Sequence, residues 1–260
     1  MNLRHLPKDM YFHTTNLKRL GDQILPEEFT WRLKAPQCMV PVIDQGECGS
    51  CYAHATSSML AERLCINQRD LQMEVVPLAP NSIMSCDPES YGCNGGMINH
   101  VLEYLEQVGI PSNACLGGYS NISYEECPTT CKNGDAPDYS VGCAPKSRRQ
   151  VIGEEQIKQE ILSQGPVASQ MVVYEDLLTY KEGVYYHREG SIIGGHAVLI
   201  VGWGPGYWEV QNSWGTEWGE NGGFFRIKTG DSEIATELFG GGFSCLPEIK
   251  ASKSEFLQSY

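Results

Sequence analysis

The sequence predicts an α+β fold of two lobes packed side by side, with helices and strands in different halves of the chain. In the first half, apolar residues recur at the three- and four-residue spacing of helices. In the second half, short β-branched or aromatic runs are separated by glycine, which is typical of strands. Because helices precede strands, an α+β arrangement is expected. A cleft between two such lobes is a natural ligand site.

Three helices are predicted, at residues 51–66, 97–108 and 154–163. The first carries apolar residues at helical spacing: Ala55, Met59, Leu60 and Leu64. The second ends before Gly109, which suits a C-terminal cap. The third begins with acidic residues, which suit the positive end of the helix dipole, and Gly165 follows its end.

Five strands are predicted in the second half. They are expected at residues 167–173, 183–187, 196–201, 207–211 and 223–228. Residues 110–150 are rich in Gly, Pro, Ser, Asn and Cys and are expected to be irregular and cross-linked.

The domain organisation follows from these elements. One domain is expected over residues 25–260, with residues 1–24 as an N-terminal extension. Its helical lobe is expected mainly at 45–165 and its β lobe mainly at 166–245, with the chain ends crossing over.

Composition restricts the class of protein. The chain has 260 residues, a net charge of −13 and 11 cysteines. The acidic balance argues against nucleic acid as a partner, since phosphate binding needs an excess of Lys and Arg. The sequence has no run of about 18 apolar residues, so no membrane span is predicted. No signal peptide is recognisable. Many cysteines indicate an oxidising compartment and a disulfide framework, and their odd number leaves one over.

Cys48 and Cys51 form a Cys-x-x-Cys motif with three interpretations. A zinc site needs a second close pair of ligands, and only Cys127 and Cys131 offer one, among cysteines that disulfides would use. A redox pair needs a βαβ setting, which the preceding irregular segment does not offer. In the third interpretation, one cysteine of the motif is structural and the other is catalytic. Neither a metal nor a cofactor is expected.

Four short motifs occur in a fixed order along the chain. They are residues 45–51, Cys93-Asn94-Gly95-Gly96, Gly195-His196-Ala197 and Asn212-Ser213-Trp214-Gly215. Residues 48–52 fit the pattern C-G-[SA]-C-[WY] that surrounds the papain and cathepsin nucleophile. With these motifs the chain resembles the papain family of cysteine peptidases, and within it the cathepsin B-like members.

The resemblance implies a catalytic set of four residues. Cys51 is the implied nucleophile, His196 its cationic partner, Asn212 the residue that orients the imidazole, and Gln45 an oxyanion donor. A papain-type thiol pKa lies roughly 5 units below that of a free thiol, which corresponds to about 7 kcal/mol. A helix N-terminus supplies at most about 2 kcal/mol. The imidazolium of His196 is therefore expected to supply most of this shift.

The resemblance also implies a substrate cleft lined by Gly95, Gly96, Gly195, Trp214 and Glu237. The adjacent glycines would let an extended substrate backbone approach closely. Trp214 would shield the Asn–His hydrogen bond from water. Glu237 aligns with an acidic residue at the floor of the S2 pocket, which predicts acceptance of arginine at P2.

Two departures from the family bear on specificity. Cathepsin B-like enzymes often carry an occluding loop with paired histidines, yet no histidine lies between Cys115 and Cys127. An open primed side and endopeptidase activity on proteins are therefore expected. Tyr52 and His54 replace the commoner Trp and Phe, as in relatives that act as exopeptidases, which leaves the fine specificity open.

Family positions imply five disulfides and leave Cys51 free. The implied pairs are Cys38–Cys65, Cys48–Cys93, Cys86–Cys127, Cys115–Cys131 and Cys143–Cys245. Asn121 begins a glycosylation sequon, and residues 1–24 are expected to be a remnant of a propeptide.

The expected partners are protein or peptide substrates and propeptide or cystatin-like inhibitors, and the expected state is a monomer. A lysosome-like acidic vesicle or secretion is the expected location. The alternatives are an exopeptidase of the same family, a catalytically silent extracellular binding module, and a disulfide-rich interaction protein. Because Gln45, Cys51, His196 and Asn212 are all present, the binding module is disfavoured.

Overall fold

The helices lie mostly in the first half of the chain. The computed structural model describes residues 24–68, 74–117 and 126–250, which contain six α-helices. They are α1 (Trp31–Lys34), α2 (Cys51–Ile66), α3 (Pro80–Cys86), α4 (Ile98–Gln107), α5 (Asn113–Leu116) and α6 (Glu154–Gln164). Helices α2, α4 and α6 confirm the three predictions. The other three have four or seven residues, too few to show a helical period.

The strands form one large sheet and one separate pair. They are β1 (Phe29–Thr30), β2 (Val141–Cys143), β3 (Arg149–Val151), β4 (Val167–Tyr174), β5 (Val184–Tyr185), β6 (Ile192–Gly204), β7 (Tyr207–Gln211), β8 (Phe224–Lys228), β9 (Gly242–Ser244) and β10 (Pro247–Ile249). The large sheet has the order β3-β9-β4-β6-β7-β8-β5, with β1 paired to β6. Strand β10 pairs with β2. The predicted α+β class is confirmed.

Two strand predictions are inaccurate in extent, and one region was predicted wrongly. Strand β6 begins at Ile192 rather than residue 196, because it continues through Gly194 and Gly195, which have no strand propensity of their own. Strand β5 has only two residues. Residues 110–150, predicted to be irregular, contain α5, β2 and β3.

Two hydrophobic clusters lie on opposite faces of the sheet. In the first, Leu60 of α2 and Leu102 of α4 pack with Leu199 of β6. In the second, α6 packs with the other face, where Trp203 and Trp208 are buried. Helix α6 thus packs with the strands, and the expected boundary between the lobes at 165/166 stays a prediction.

Five disulfides cross-link the chain, and they join the pairs that the family resemblance implies. They are Cys38–Cys65, Cys48–Cys93, Cys86–Cys127, Cys115–Cys131 and Cys143–Cys245. In the three described ranges, no helix combines the length and apolar character needed to cross a membrane.

Candidate active site

The free thiol lies at the start of α2, the longest of the described helices. Cys51 is the first residue of α2, and it is the free cysteine left by the five disulfides. The preceding loop lies tightly against the segment around Cys93, because the backbone N–H of Gly49 donates to the Cys93 carbonyl at 2.8 Å. A Cβ on Gly49 would lie 2.6 Å from that oxygen, so a larger residue does not fit. The close approach places Gly49, two residues before Cys51, beside Gly95.

His196 and Asn212 meet where β6 pairs with β7. The pairing of β6 with β7 aligns Leu199 with Gln211, which brings the residue after β7 beside the middle of β6. The Nε2 of His196 lies 2.8 Å from the Oδ1 of Asn212. Because an amide oxygen only accepts hydrogen bonds, Nε2 is the donor. In the neutral ring Nδ1 is then the acceptor.

Trp214 packs on the histidine ring. Its indole stacks on the His196 imidazole with the ring centroids 4.8 Å apart and an interplanar angle of 28°. The edge of Trp218 meets Trp214 at 4.9 Å and 79°. An isolated β-bridge between Asp44 and Trp214 ties this segment to the loop before α2. The indole therefore covers one face of His196.

Gln45 connects that loop to the strand segment carrying Asn212. Its Nε2 donates to the Cys48 carbonyl at 2.8 Å, and its Oε1 accepts from the Ser213 hydroxyl at 2.5 Å. Its backbone N–H donates to the Ser213 carbonyl at 2.8 Å. Because an amide nitrogen carries two hydrogens, one N–H is not used by the bond to Cys48. Ser213 is not among the predicted site residues, although it stands within the fourth motif.

Burial dominates the electrostatics of the site. Burial raises the pKa of Cys51, and hydrogen bonds to its sulfur from the backbone of Ala197, Tyr52 and Cys51 itself oppose the increase. Burial lowers the pKa of His196 to about 4, against the hydrogen bond to Asn212. Taken singly, both groups favour their neutral forms. Transfer of a proton from the thiol to the imidazole instead creates two opposite charges, whose attraction is strong in a buried site.

A second histidine lies close to this centre. His54 occupies the first turn of α2 and is 4% exposed. Its pKa is lowered to about 4, first by burial and then by the proximity of His196. In the sequence His54 stands out only as a replacement for the commoner phenylalanine.

The glycine segment predicted to bind substrate lies across from Tyr52. Gly95 has φ +109°, which favours glycine, and a Cβ there would meet no atom within 4 Å. A Cβ on Gly96 would lie 2.6 Å from the Tyr52 ring. The Tyr52 hydroxyl donates to the Gly92 carbonyl at 3.0 Å, which fixes the segment to α2. Gly195 also borders open space.

Two further predicted sites are Glu237 and Asn121. Glu237 begins a short 3₁₀-helix and its side chain is exposed. The same segment is held to β4, because the Ser169 hydroxyl accepts from the backbone N–H of Ala235 at 3.2 Å. Asn121 lies outside the described residues. Both functional assignments stay predictions.

Comparison with known proteins identifies a family. Residues 25–240 match the family described as papain family cysteine protease. The chain is 34% identical over 235 residues to cathepsin B-like CP1 of Giardia intestinalis, covering 86% of this chain and 74% of that protein.

Solved structures show the same fold. A procathepsin B of Trypanosoma congolense superposes with a TM-score of 0.71 at 28% identity, covering 87% of this chain and 79% of that chain. A cysteine protease of Carica candamarcensis, solved in complex with E-64, has a TM-score of 0.64 at 27% identity, covering 87% of this chain and all of that chain. The chain therefore belongs to the papain family of cysteine proteases and is a cysteine-type peptidase.

Proposed function

We propose that the chain is a cysteine endopeptidase that cleaves proteins through a Cys51 thiolate and a His196 imidazolium. The observation that supports this most directly is the hydrogen bond between His196 Nε2 and Asn212 Oδ1. It leaves Nδ1 as the basic nitrogen of the ring. The free thiol of Cys51 begins the helix whose positive dipole end favours a thiolate.

The proposed reaction has two halves. The Cys51 sulfur attacks the carbonyl carbon of the substrate, and the C–S bond forms as the carbonyl oxygen becomes an oxyanion. The imidazolium then protonates the amide nitrogen, and the C–N bond breaks to leave an acyl-enzyme. Water next attacks the thioester while His196 accepts its proton, and the thiolate leaves. The backbone N–H of Cys51 and the side-chain N–H of Gln45 are the proposed oxyanion donors.

Substrate binding is assigned to the surface that surrounds these groups. Gly95 and Gly96 are proposed to pair with an extended substrate backbone, since both lack side chains and Gly95 borders open space. Trp214 is proposed to exclude water from the His196–Asn212 bond because its ring covers the imidazole. Glu237 is proposed to accept arginine at P2, and its exposed carboxylate remains able to meet a cation.

Endopeptidase activity is inferred from a sequence feature that the chain lacks. A histidine pair that grips a C-terminal carboxylate has no counterpart between Cys115 and Cys127. A substrate could therefore extend past the scissile bond on the primed side. Proteins are the proposed substrates, an acidic vesicle or the cell exterior the proposed location, and a propeptide the proposed source of inhibition before activation.

Two assays test this proposal. An epoxide inhibitor of papain-like peptidases should label the processed protein, and Cys51→Ala should abolish labelling and hydrolysis. Lack of labelling in fully oxidised wild-type protein would indicate a binding module instead. Internally quenched peptides blocked at both ends should be cleaved faster than free peptides lose C-terminal dipeptides. The reverse order would establish an exopeptidase.

The P2 assignment needs its own variant. Wild-type enzyme should cleave substrates with arginine at P2 as well as those with phenylalanine. Glu237→Ala should lose activity selectively on substrates with arginine at P2, because no carboxylate remains at position 237 to pair with the guanidinium. Glu233→Ala removes a carboxylate from the same segment and should keep the wild-type preference. An unchanged preference in Glu237→Ala would exclude the pocket assignment.

A further inference from the structure

A cavity of about 20 Å³ lies between helix α2 and the strands that carry His196 and Asn212. We propose that this cavity binds one water molecule, which accepts a hydrogen bond from Asn212 Nδ2 and donates one to Gln211 Oε1. The water thereby holds the Asn212 amide in the orientation that His196 requires. This inference rests on the proposed function only for the role given to Asn212.

Three elements enclose the cavity. Helix α2 contributes His54 and Ala55, strand β6 contributes Leu199, and Asn212 follows strand β7. Each of these four residues is at most 5% exposed. A polar group that borders this space therefore has little access to bulk solvent.

Backbone partners fix the direction in which both amides point. Asn212 Oδ1 accepts from the backbone N–H of Ser213 at 2.9 Å as well as from His196. A rotated Asn212 amide would set Nδ2 against the Ser213 N–H, so that two donors faced each other. Gln211 Nε2 donates to the Val40 carbonyl at 2.9 Å, and a rotated Gln211 amide would set two acceptors together. Asn212 Nδ2 and Gln211 Oε1 are thus the groups left over.

The two left-over atoms form a matched donor and acceptor. Within the described parts of the chain, no hydrogen bond reaches Asn212 Nδ2 or Gln211 Oε1, and both atoms are buried. Both residues line the cavity, with 4% and 5% of their surface exposed. Buried polar groups are seldom left unpaired, because an unmade hydrogen bond is costly. One donor and one acceptor beside the same cavity are what a bridging water needs.

The size of the cavity fits a single water molecule. A cavity holds a water when it offers at least about 10–15 Å³ and two to four polar partners. The volume of about 20 Å³ meets this requirement for one molecule and is too small for an organic ligand. The buried imidazole of His54, which replaces the commoner phenylalanine, makes the wall of the cavity more polar.

The bound water acts on catalysis through the Asn212 amide. With the water in place, Oδ1 has two donors and Nδ2 has an acceptor, so both ends of the amide are held. Without it, only the Oδ1 end is held. We then expect the amide to shift and the His196 ring to lose its fixed orientation.

Two measurements on the full chain test for the water without using substrate. A high-resolution crystal structure should show one water about 2.7–3.2 Å from Asn212 Nδ2 and about 2.5–3.0 Å from Gln211 Oε1. In solution, the Asn212 side-chain amide protons should give an NMR cross peak at the water frequency. Inactive Cys51→Ala should keep both signals. A dry cavity would overturn this inference and leave the epoxide labelling of Cys51 unchanged, so the two proposals fail separately.

A variant that fills the cavity tests the effect on catalysis. Ala55→Val adds two methyl groups to the cavity wall and should expel the water. We expect kcat to fall by about 10- to 100-fold with little change in KM, and the downfield NMR resonance of the His196 Nε2 proton to weaken. Ala61→Val is the matched control, because Ala61 is buried on the same helix but does not line the cavity. It should keep the water, kcat and the resonance.

Other outcomes contradict the inference. An Ala55→Val protein that keeps kcat and unfolds at a higher temperature than wild type would show that the cavity is dry and was merely filled. Equal losses of kcat in Ala55→Val and Ala61→Val would show that crowding of α2, rather than loss of the water, is responsible. If Ala55→Val does not fold, the crystal structure and the NMR cross peak of the wild type decide the question.

Discussion

His196 Nε2 lies 2.8 Å from Asn212 Oδ1, and both residues are buried, with 6% and 4% of their surface exposed. The Oδ1 also accepts from the backbone N–H of Ser213 at 2.9 Å. One amide oxygen thus receives two donors, which fixes its own orientation and that of the imidazole. The bond therefore defines which ring nitrogen is available to the thiol.

Asn212→Ala should remove this orientation without removing the nucleophile. We expect kcat to fall by about 100-fold, since a misplaced catalytic group costs about that much, while KM changes little. Steady-state hydrolysis of a fluorogenic peptide measures both. Asn67→Ala is the matched control, because Asn67 bonds the Arg63 carbonyl at 2.8 Å at the other end of α2. Equal losses in the two variants would mean that Asn212 acts on stability alone.

Trp214→Ala should change the titration of His196. Burial is the main cause that lowers the pKa of His196 to about 4. Removing the indole lets water reach the ring, so its pKa should rise from about 4 toward the ordinary value of 6.5. NMR titration of the ring protons measures this directly. Trp218→Phe keeps an aromatic ring at that position and should leave the His196 titration where it is in wild type.

The parts of the structure that the sequence could predict are those with local causes. Helix α2 is visible in the spacing of its apolar residues, and α6 in its acidic start and the following Gly165. The contact of Gln45 with Ser213 joins residues 168 apart. The hydrogen bond from Gln211 Nε2 to the Val40 carbonyl likewise joins residues 171 apart. No spacing rule predicts such partners, because the tertiary fold creates them.

His196→Ala should show how reactive the Cys51 thiol is when only burial acts on its pKa. Because burial raises the pKa of Cys51, the variant should react with iodoacetamide about 100-fold more slowly than wild type at pH 6. Its rate should then increase as pH rises through and above the ordinary thiol range. The reaction reports on one site, since Cys51 is the free cysteine. His100→Ala should react as wild type, and so would His196→Ala if the imidazole did not activate the thiol.

Glu160→Gln should destabilise the fold far more than a surface substitution. Arg63 is fully buried, and its guanidinium bonds Glu160 at 3.0 Å as well as the carbonyls of Pro166 and Gly165. Leaving that charge without a carboxylate should cost about 3–5 kcal/mol of the free energy of unfolding. Glu154→Gln, which breaks an i,i+4 pair with Lys158 on α6, should cost less than about 1 kcal/mol. Urea unfolding measures both.

The pH dependence of Glu160→Gln has a defined sign. Burial acts to raise the pKa of Glu160, but Arg63 and Arg149 hold it below its ordinary value. The carboxylate therefore stabilises the fold above the glutamate pKa of the unfolded chain, and this contribution is lost as pH falls through the lowered folded value. The difference between wild type and Glu160→Gln should thus be constant near neutral pH and shrink on strong acidification. A difference that grew on acidification would show that the buried pair is not ionised.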